Sequence, residues 1–187
     1  SYSATTYWYA FLGTSTNLKP QPEAAALPIP TLAEVQSGAH KSGAIECETM
    51  TLLRKSGDFI VEPQDMEPWS RERWSGGKHL VVKATRVGDT VELEVPAPDT
   101  RPQKLILYAT RAVDFGTLQF RVNNKLCQAI FDGYAPEVQP TEPLPLGVFR
   151  PEGGRFVLQV TVTGANRSAT GPRYYLGLDC LVLEPAS

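Results

Sequence analysis

Three carboxylates near the two ends of a β-rich stretch are the residues whose types and spacing could do chemistry. Glu46 and Glu48 lie two residues apart, so on one strand they point to the same face, and Asp179 interrupts the apolar run 176–183. A buried carboxylate needs a cation or several hydrogen-bond donors, and carboxylate oxygens suit Ca²⁺. We therefore predict that Glu46, Glu48 and Asp179 hold a structural calcium ion where the first and last strands meet. The alternative is that the glutamates face water and Asp179 accepts backbone or arginine hydrogen bonds.

The segments that must position these carboxylates have the pattern of β-strands. Val91, Leu93 and Val95 alternate with glutamates, which is typical of an antiparallel strand with one wet face, and helical periodicity is absent. The pattern predicts an all-β domain over residues 40–187, a two-sheet antiparallel β-sandwich of jelly-roll type. Its expected strands are 44–53, 58–62, 78–85, 89–95, 103–111, 115–122, 125–131, 145–149, 155–163 and 175–184.

The first 39 residues have a different composition from the rest. Residues 1–11 are rich in aromatic and β-branched types and predict a lone strand, the tail of a preceding catalytic domain, whereas the prolines of residues 12–39 predict a linker. An unpaired apolar strand is also a template for another chain, so residues 1–11 could instead mediate homo-oligomer formation.

Charge and cysteine content narrow the possible partners. The net charge of −2 leaves no broad basic surface, which argues against nucleic acid, and no apolar run is long enough to span a membrane. Cys47, Cys127 and Cys180 show no zinc-site spacing and are interpreted as buried thiols, although Cys47 and Cys180 could form one bridge. His40 and His79 stand apart from the cysteines and from each other, so neither predicts a metal site or a triad.

The loop 67–74 has the residue types that bind sugars. Aromatic rings pack against the apolar face of a pyranose, while charged and amide groups on exposed loops bind its hydroxyls. Trp74 has the alternative role of a core residue that begins the next strand, and Asp114 is expected to form a turn before Phe115-Gly116. The candidate ligand-binding residues are Trp69, Arg71, Arg73, Trp74, Asp132 and Tyr134.

A family resemblance rests on turn and packing motifs. These are WSGGKHL at 74–80, VGDTVEL at 87–93, AVDFG at 112–116, FDGY at 131–134, VTGAN at 162–166 and GLD at 177–179. Together they resemble the galactose-binding-like jelly-roll domain at the C-terminus of bacterial glycoside hydrolases related to difructose-anhydride and arabinofuranosidase enzymes. The segment 2–9 resembles the last strand of that family's catalytic region. A weaker similarity is to calcium-containing carbohydrate-binding modules, which open with a Glu-x-Glu strand and close with an aspartate-bearing strand.

The resemblance implies a noncatalytic accessory module of a secreted, extracellular or periplasmic carbohydrate-active enzyme, whose partner is a glycan or the preceding catalytic domain. That family's catalytic carboxylates lie in a region that this chain lacks, so no catalytic residue is expected here. The alternative function is a structural domain that docks to a catalytic domain or to identical copies.

Overall fold

Twelve β-strands are distributed over residues 40–186, which are the residues that the computed structural model describes. The strands predicted for residues 1–11 and the linker predicted for residues 12–39 lie outside this range. Three-residue 3₁₀ helices occur at Cys47–Thr49, Glu67–Trp69, Arg71–Arg73 and Ser75–Gly77. The strands are β1 (Ala44–Glu46), β2 (Thr51–Lys55), β3 (Val61–Asp65), β4 (Lys78–Val82), β5 (Thr90–Pro96), β6 (Gln103–Arg111), β7 (Gly116–Val122), β8 (Lys125–Asp132), β9 (Gln139–Pro140), β10 (Leu144–Phe149), β11 (Arg155–Ala165) and β12 (Leu176–Pro185).

The strands form two antiparallel sheets. The seven-stranded sheet has the order β10-β6-β12-β4-β3, with β1 paired to β12 and β9 paired to β6. The five-stranded sheet has the order β2-β5-β11-β7-β8. This arrangement confirms the predicted all-β, two-sheet jelly-roll sandwich.

The main core lies between the inner faces of the two sheets, as the alternation in the sequence predicts. Val91, Leu93 and Val95 of β5 are buried there, and every second residue of β11 from Phe156 to Val162 joins them. Alternation along a strand sends the intervening residues to the outer face. On β6 those outer residues include Thr110, which is nevertheless completely buried. Another segment must therefore cover the outer face of the seven-stranded sheet.

That covering segment is 66–77, which contains three short 3₁₀ helices in place of a regular element. Met66 and Trp74 are fully buried but lie outside the main core cluster, and the Trp74 indole N–H donates to Thr110 Oγ1 at 2.9 Å. The amide of Met66 donates to Gly77 O at 3.0 Å, so the segment closes on itself. It packs as a cap on the outer face of β4 and β6, and below it is called the 66–77 cap.

The prediction of one continuous strand over 44–53 is wrong. The chain leaves the seven-stranded sheet after β1, makes a 3₁₀ turn at Cys47–Thr49, and enters the five-stranded sheet as β2. The hydroxyl of Thr49 donates to Glu46 O at 2.8 Å and stabilises the turn. Glu46 therefore ends a strand and Glu48 lies on a turn, so the two side chains do not share a strand face.

The hairpin predicted at Asn123-Asn124 is confirmed. Both residues have positive φ, at 49° and 63°, which a tight turn between β7 and β8 requires and which asparagine tolerates. The Asn123 side chain also accepts the amide of Val157 at 2.8 Å, so this turn is tied to β11.

No helix within residues 40–186 is long and apolar enough to cross a membrane.

Candidate functional site

Two candidate sites adjoin the 66–77 cap, one a cluster of side chains and the other a cleft. The first, called the carboxylate–thiol cluster, consists of Glu46, Glu48, Asp179 and Cys180. The second, called the Trp69 cleft, consists of two adjoining cavities that share Trp69 and Val138 in their walls.

Strand pairing builds the carboxylate–thiol cluster. β1 pairs with β12 so that Glu46 lies opposite Cys180, next to Asp179. The register of β12 against β6 shifts between Leu178 and Leu181, which is a bulge at residues 179 and 180. Neighbouring residues of a regular strand point to opposite faces, and a bulge changes those directions. Both Asp179 and Cys180 consequently reach Glu46, and single ligand atoms from these three residues all lie within 4.8 Å of one another.

The 66–77 cap supplies the donors that hold this cluster. The backbone amide of Ser75 donates to Asp179 Oδ1 at 3.0 Å. The Ser75 hydroxyl accepts the amide of Lys41 at 3.0 Å, and it donates its own proton to Glu46 Oε1 at 2.7 Å. The same oxygen accepts His40 Nδ1–H at 2.7 Å. One oxygen of Glu46 is therefore well satisfied by donors.

Two other carboxylate oxygens in the cluster have no donor. Glu46 Oε2 and Glu48 Oε2 are inaccessible to solvent and have no hydrogen-bond partner within the described residues. A buried oxygen without a donor costs about 1–3 kcal/mol, and more if it carries charge. Such oxygens could be satisfied by a bound cation or by protonation of the carboxyl group.

Burial also controls the protonation of the cluster. It raises the pKa of Asp179 to about 7, and the nearby Glu46 and Glu48 carboxylates add to this shift. Burial also raises the pKa of Glu48 and of the Cys180 thiol. A bound divalent cation would remove the repulsion among these groups, since it favours their charged forms.

The oxygens of the cluster fit a divalent cation, and the residues that would hold it include two of the predicted ligands, Glu46 and Asp179. Glu48 contributes a buried oxygen nearby but is not part of the compact group of ligand atoms. The thiol of Cys180 takes that third place, and its sulfur lies 3.8 Å from Asp179 Oδ2.

The Trp69 cleft lies at the other side of the cap. Its first cavity has a volume of about 160 Å³ and its second about 480 Å³. Trp69 is half-buried and lines both cavities. Polar side chains lining the first cavity are Gln64, His79, Lys83, Asp114 and Tyr175, and those lining the second are Ser70, Arg73 and Glu137.

A buried chain of hydrogen bonds forms the floor of the first cavity. Trp74 can only donate to Thr110, so the Thr110 hydroxyl donates to His79 Nδ1, at 2.7 Å. His79 Nε2 then donates to Gln64 Oε1 at 2.7 Å. This order fixes the neutral Nε2–H tautomer, and burial lowers the pKa of His79 to about 4, in agreement with it. The floor is rigid and uncharged at neutral pH.

Comparison with known proteins gives a fold and no family. No known family model matches the chain, and no curated protein matches its sequence. A solved Paenibacillus xanthan lyase is similar in structure, with a TM-score of 0.65 and 18% identity over 80% of this chain. This chain spans only 14% of that lyase. At this identity the likeness shows a shared fold alone, and the resemblance to the difructose-anhydride-related family stays a prediction.

Two carbohydrate-binding modules are also similar in structure. One is the CBM36-1 domain of a multidomain xylanase from the hindgut metagenome of Trinervitermes trinervoides, with a TM-score of 0.46 and 13% identity over 77% of this chain and 97% of the module. The other is a family 35 module from Clostridium thermocellum, with a TM-score of 0.44 and 16% identity over 76% of this chain and 97% of the module. Both scores are below 0.5, too low to support a conclusion about this chain.

Among the predicted sugar-binding residues, the structure places Trp69 and Arg73 in the cleft and excludes Trp74. The Trp74 side chain is 0% exposed and makes a cation–π contact with Arg73 at 5.5 Å, so it cannot present a ring to a ligand. Its alternative role as a buried residue is confirmed, although Trp74 lies in the 66–77 cap and the next strand begins at Lys78. Arg71 forms ion pairs with Asp65 and Glu67 at 2.9 and 3.2 Å.

Asp132 and Tyr134 lie outside the walls of both cavities. Asp132 Oδ1 accepts the amide of Tyr134 at 3.0 Å, and its Oδ2 accepts the side-chain amide of Asn166 at 2.6 Å. Both carboxylate oxygens thus join loops, and a ligand role for these two residues stays a prediction without support from the cavities.

Several cleft residues were not predicted as ligand contacts. His79 and Gln64 are directly opposite each other across β4 and β3, and Asp114 belongs to the turn that follows β6. A signal for His79 exists in the sequence, since it directly precedes the apolar run Leu80-Val81-Val82, and the structure buries it with them in β4. Asp114 forms the expected turn and is also half-buried in the cavity wall, where burial raises its pKa.

Proposed function

We propose that this chain is a noncatalytic accessory module of a secreted carbohydrate-active enzyme and binds a glycan in the Trp69 cleft. The observation that carries the proposal is the position of Trp69, whose half-buried ring forms a wall of two cavities rimmed by polar side chains. An aromatic wall with a few convergent polar groups is the general form of a small-ligand site.

The chemistry of the cleft matches that of a sugar. A pyranose has apolar C–H faces and a rim of hydroxyls that both donate and accept hydrogen bonds. Trp69 supplies an apolar surface, Asp114 supplies acceptors, and the side-chain NH₂ of Gln64 supplies donors, since its oxygen already accepts from His79. Lys83 lines the same cavity and donates to Glu62 at 2.8 Å. The second cavity continues this arrangement with Arg73 and Glu137, so a chain of two or more sugar units could cross Trp69.

The proposal assigns no catalytic step to the cleft. Glycoside hydrolysis needs two carboxyl groups facing one bond across a shared cleft. Asp114 lines the first cavity and Glu137 lines the second, so neither cavity has two carboxyl groups among its lining residues. The association with polysaccharide enzymes, and with it an extracellular or periplasmic location, is supported by the name of the xanthan lyase that shares the fold.

A bound cation belongs to the proposal as a structural element. The carboxylate–thiol cluster joins β1, β12 and the 66–77 cap, and a divalent cation bound there would tie these three segments together. Since Trp69 lies on the same cap, the cation would hold one wall of the cleft in place.

A glycan array tests the proposed function. The purified chain and its Trp69→Ala variant are screened against plant, bacterial and fungal polysaccharides, with Tyr134→Ala as the matched aromatic control outside the cavities. We expect specific binding by the wild type and by Tyr134→Ala, and loss of binding by Trp69→Ala. A folded wild-type chain that binds no glycan would contradict the proposal.

The second candidate function, assembly with other chains, is favoured by one observation. Leu126 and Ile130 are 53% and 71% exposed on β8, which is an edge strand of the five-stranded sheet. An apolar edge strand can pair with another chain.

Molar mass distinguishes this candidate from glycan binding. The full chain, a variant lacking residues 1–11, and Ile130→Lys are compared by light scattering after gel filtration. If the module acts as a glycan-binding monomer, all three have the monomer mass and bind the same glycans, because the cleft residues lie within 64–175. An oligomer that dissociates in one variant would favour assembly and identify the segment responsible.

A further inference from the structure

We propose that the carboxylate–thiol cluster binds a thiophilic divalent cation of the Zn²⁺ class, with Glu46, Asp179 and Cys180 as ligands. This inference rests on the structural cation proposed above and identifies its chemical class.

The spacing of the ligand atoms suits a small tetrahedral ion. The three ligand atoms lie within 4.8 Å of one another, and Cys180 Sγ is 3.8 Å from Asp179 Oδ2. Ligands at zinc distances of about 2.0–2.3 Å in a tetrahedron stand roughly 3.3–3.8 Å apart. If the three ligand atoms move slightly closer together, their separations match those of a tetrahedral zinc site.

An independent observation points to a missing cation. Glu46 Oε2 and Glu48 Oε2 are buried without a hydrogen-bond partner in the described part of the chain. Within residues 40–186, no lysine or arginine forms an ion pair with Glu46, Glu48 or Asp179. The nearest lysine in sequence, Lys41, holds its ammonium over the ring of Tyr108 at 4.7 Å. In the described part of the chain His40 contacts Glu46 Oε1, and Lys41 and Lys78 act on Asp179 and Glu48 through charge without an ion pair. The two oxygens without a donor are therefore open to a bound ion.

The sulfur decides the class of that ion. Calcium binds six to eight oxygen ligands, whereas thiolate ligands select zinc and other soft or borderline metals. Cys180 lies outside the main core cluster, and the β12 bulge turns it toward the two carboxylates, whereas Cys47 and Cys127 belong to that core. Three protein ligands leave the fourth position to a solvent molecule or to the buried oxygen of Glu48.

A second layer of contacts supports the ligands. His40 Nδ1–H and the Ser75 hydroxyl both donate to Glu46 Oε1, and the Ser75 amide donates to Asp179. Such outer partners fix the orientation of metal ligands. Binding replaces the Sγ–H bond of Cys180 with an Sγ–metal bond, and the proton goes to the buffer.

Calorimetric titration of the chain tests this inference. The full chain is stripped with a chelator, kept reduced, and titrated separately with ZnCl₂, CdCl₂ and CaCl₂. We expect one Zn²⁺ or Cd²⁺ per chain, bound at least about 100-fold more tightly than Ca²⁺, with proton release. Cd²⁺ should also produce the ultraviolet charge-transfer band of a cadmium–thiolate bond, which reports sulfur ligation in the wild type without any substitution.

Three cysteine variants assign the sulfur. Cys180→Ser should abolish the cadmium band and weaken Zn²⁺ binding by about 100-fold or more. Loss of an outer contact of a metal site already lowers metal affinity by about 10- to 100-fold, and Cys180 is proposed as a direct ligand. Cys47→Ser should keep the cadmium band and the wild-type Zn²⁺ affinity. The matched control Cys127→Ser, which replaces another buried thiol, should keep them as well. Unchanged Zn²⁺ affinity in a folded Cys180→Ser variant would overturn the proposal.

The remaining outcomes separate this inference from the proposed structural cation. Tight Ca²⁺ binding with no cadmium band would overturn the thiophilic site and leave the structural cation in place. Absence of binding by all three metals would overturn both, while glycan binding by the Trp69 cleft would stand as a separate result.

Discussion

At the scale of single residues, four side chains in and beneath the 66–77 cap form one continuous line of hydrogen bonds. Thr110 links the Trp74 indole to His79, and His79 links that pair to Gln64. Because His79 is buried and its hydrogen-bond partners Thr110 and Gln64 are both uncharged, an added proton on the ring creates a charge that burial disfavours. The stability of the sandwich should therefore include a pH-dependent contribution from His79.

Acid should destabilise the fold through His79. Its folded pKa of about 4 is below the unfolded value of about 6.5, so between these values the unfolded chain binds more protons and stability falls as pH falls. From pH 7 to pH 4.5 the loss from this group is roughly 2–3 kcal/mol. Urea unfolding at both pH values measures it, with His79→Gln as the reference that lacks the titrating ring.

The difference in free energy of unfolding between wild type and His79→Gln reports the histidine alone, because the carboxylates titrate in both proteins and their contribution cancels. A difference that stays constant between pH 7 and pH 4.5 would show that His79 is not held neutral.

At the scale of elements, strand β12 connects the two candidate sites. Its bulge turns Asp179 and Cys180 toward β1, and two residues earlier Gly177 lies against His79 of β4. A Cβ at Gly177 would stand 2.6 Å from His79 Cε1 and 2.9 Å from Phe115 Cε2. The absence of a side chain at this position lets His79 and Phe115 pack on the strand.

Gly177→Ala should therefore destabilise the protein by about 1–3 kcal/mol, because both rings must move within a close-packed layer. Gly164→Ala on β11 is the matched control, since a Cβ there meets no atom within 4 Å, and it should cost less than about 0.5 kcal/mol. Urea unfolding measures both. Equal stability of the two variants would mean that the contact with His79 is not tight.

The elements also show how far sequence reasoning reaches. The alternation of Val91, Leu93 and Val95 predicts β5 and its buried face, because period-two burial is a local property. Likewise, the meeting of Glu46 with Asp179 is predictable, because the first and last strands of a sandwich often pair. The entry of Cys180 into that group is not, because it depends on a bulge that only the pairing of β12 with β6 reveals.

The Trp69 cleft was only partly predictable for a similar reason. Trp69 and Arg73 belong to one loop whose composition suggests sugar binding, so sequence alone selects them. Gln64, Lys83 and Tyr175 join them from three separate parts of the chain, and only the sheet register and loop packing bring these residues together. Trp74 belongs to the same loop but points inward, which its composition could not show.

At the scale of the whole molecule, the 66–77 cap connects the carboxylate–thiol cluster to the Trp69 cleft. Ser75 donates to Glu46 and Asp179, and Trp69, six residues earlier, forms the wall of both cavities. A cation at the carboxylate–thiol cluster would thus stabilise one wall of the proposed glycan site without contacting the sugar. In the two proposals together, cation binding at the cluster stabilises the cap, and the cap supplies the wall of a noncatalytic glycan site.

The affinity of the chain for its strongest array glycan, measured by isothermal titration for wild type, Trp69→Ala and Tyr134→Ala, tests the central claim most directly. A buried aromatic anchor is worth about 2 kcal/mol or more, so we predict that Trp69→Ala loses at least about 30-fold in affinity and that Tyr134→Ala keeps the wild-type value. Wild-type affinity in a folded Trp69→Ala variant would contradict the account.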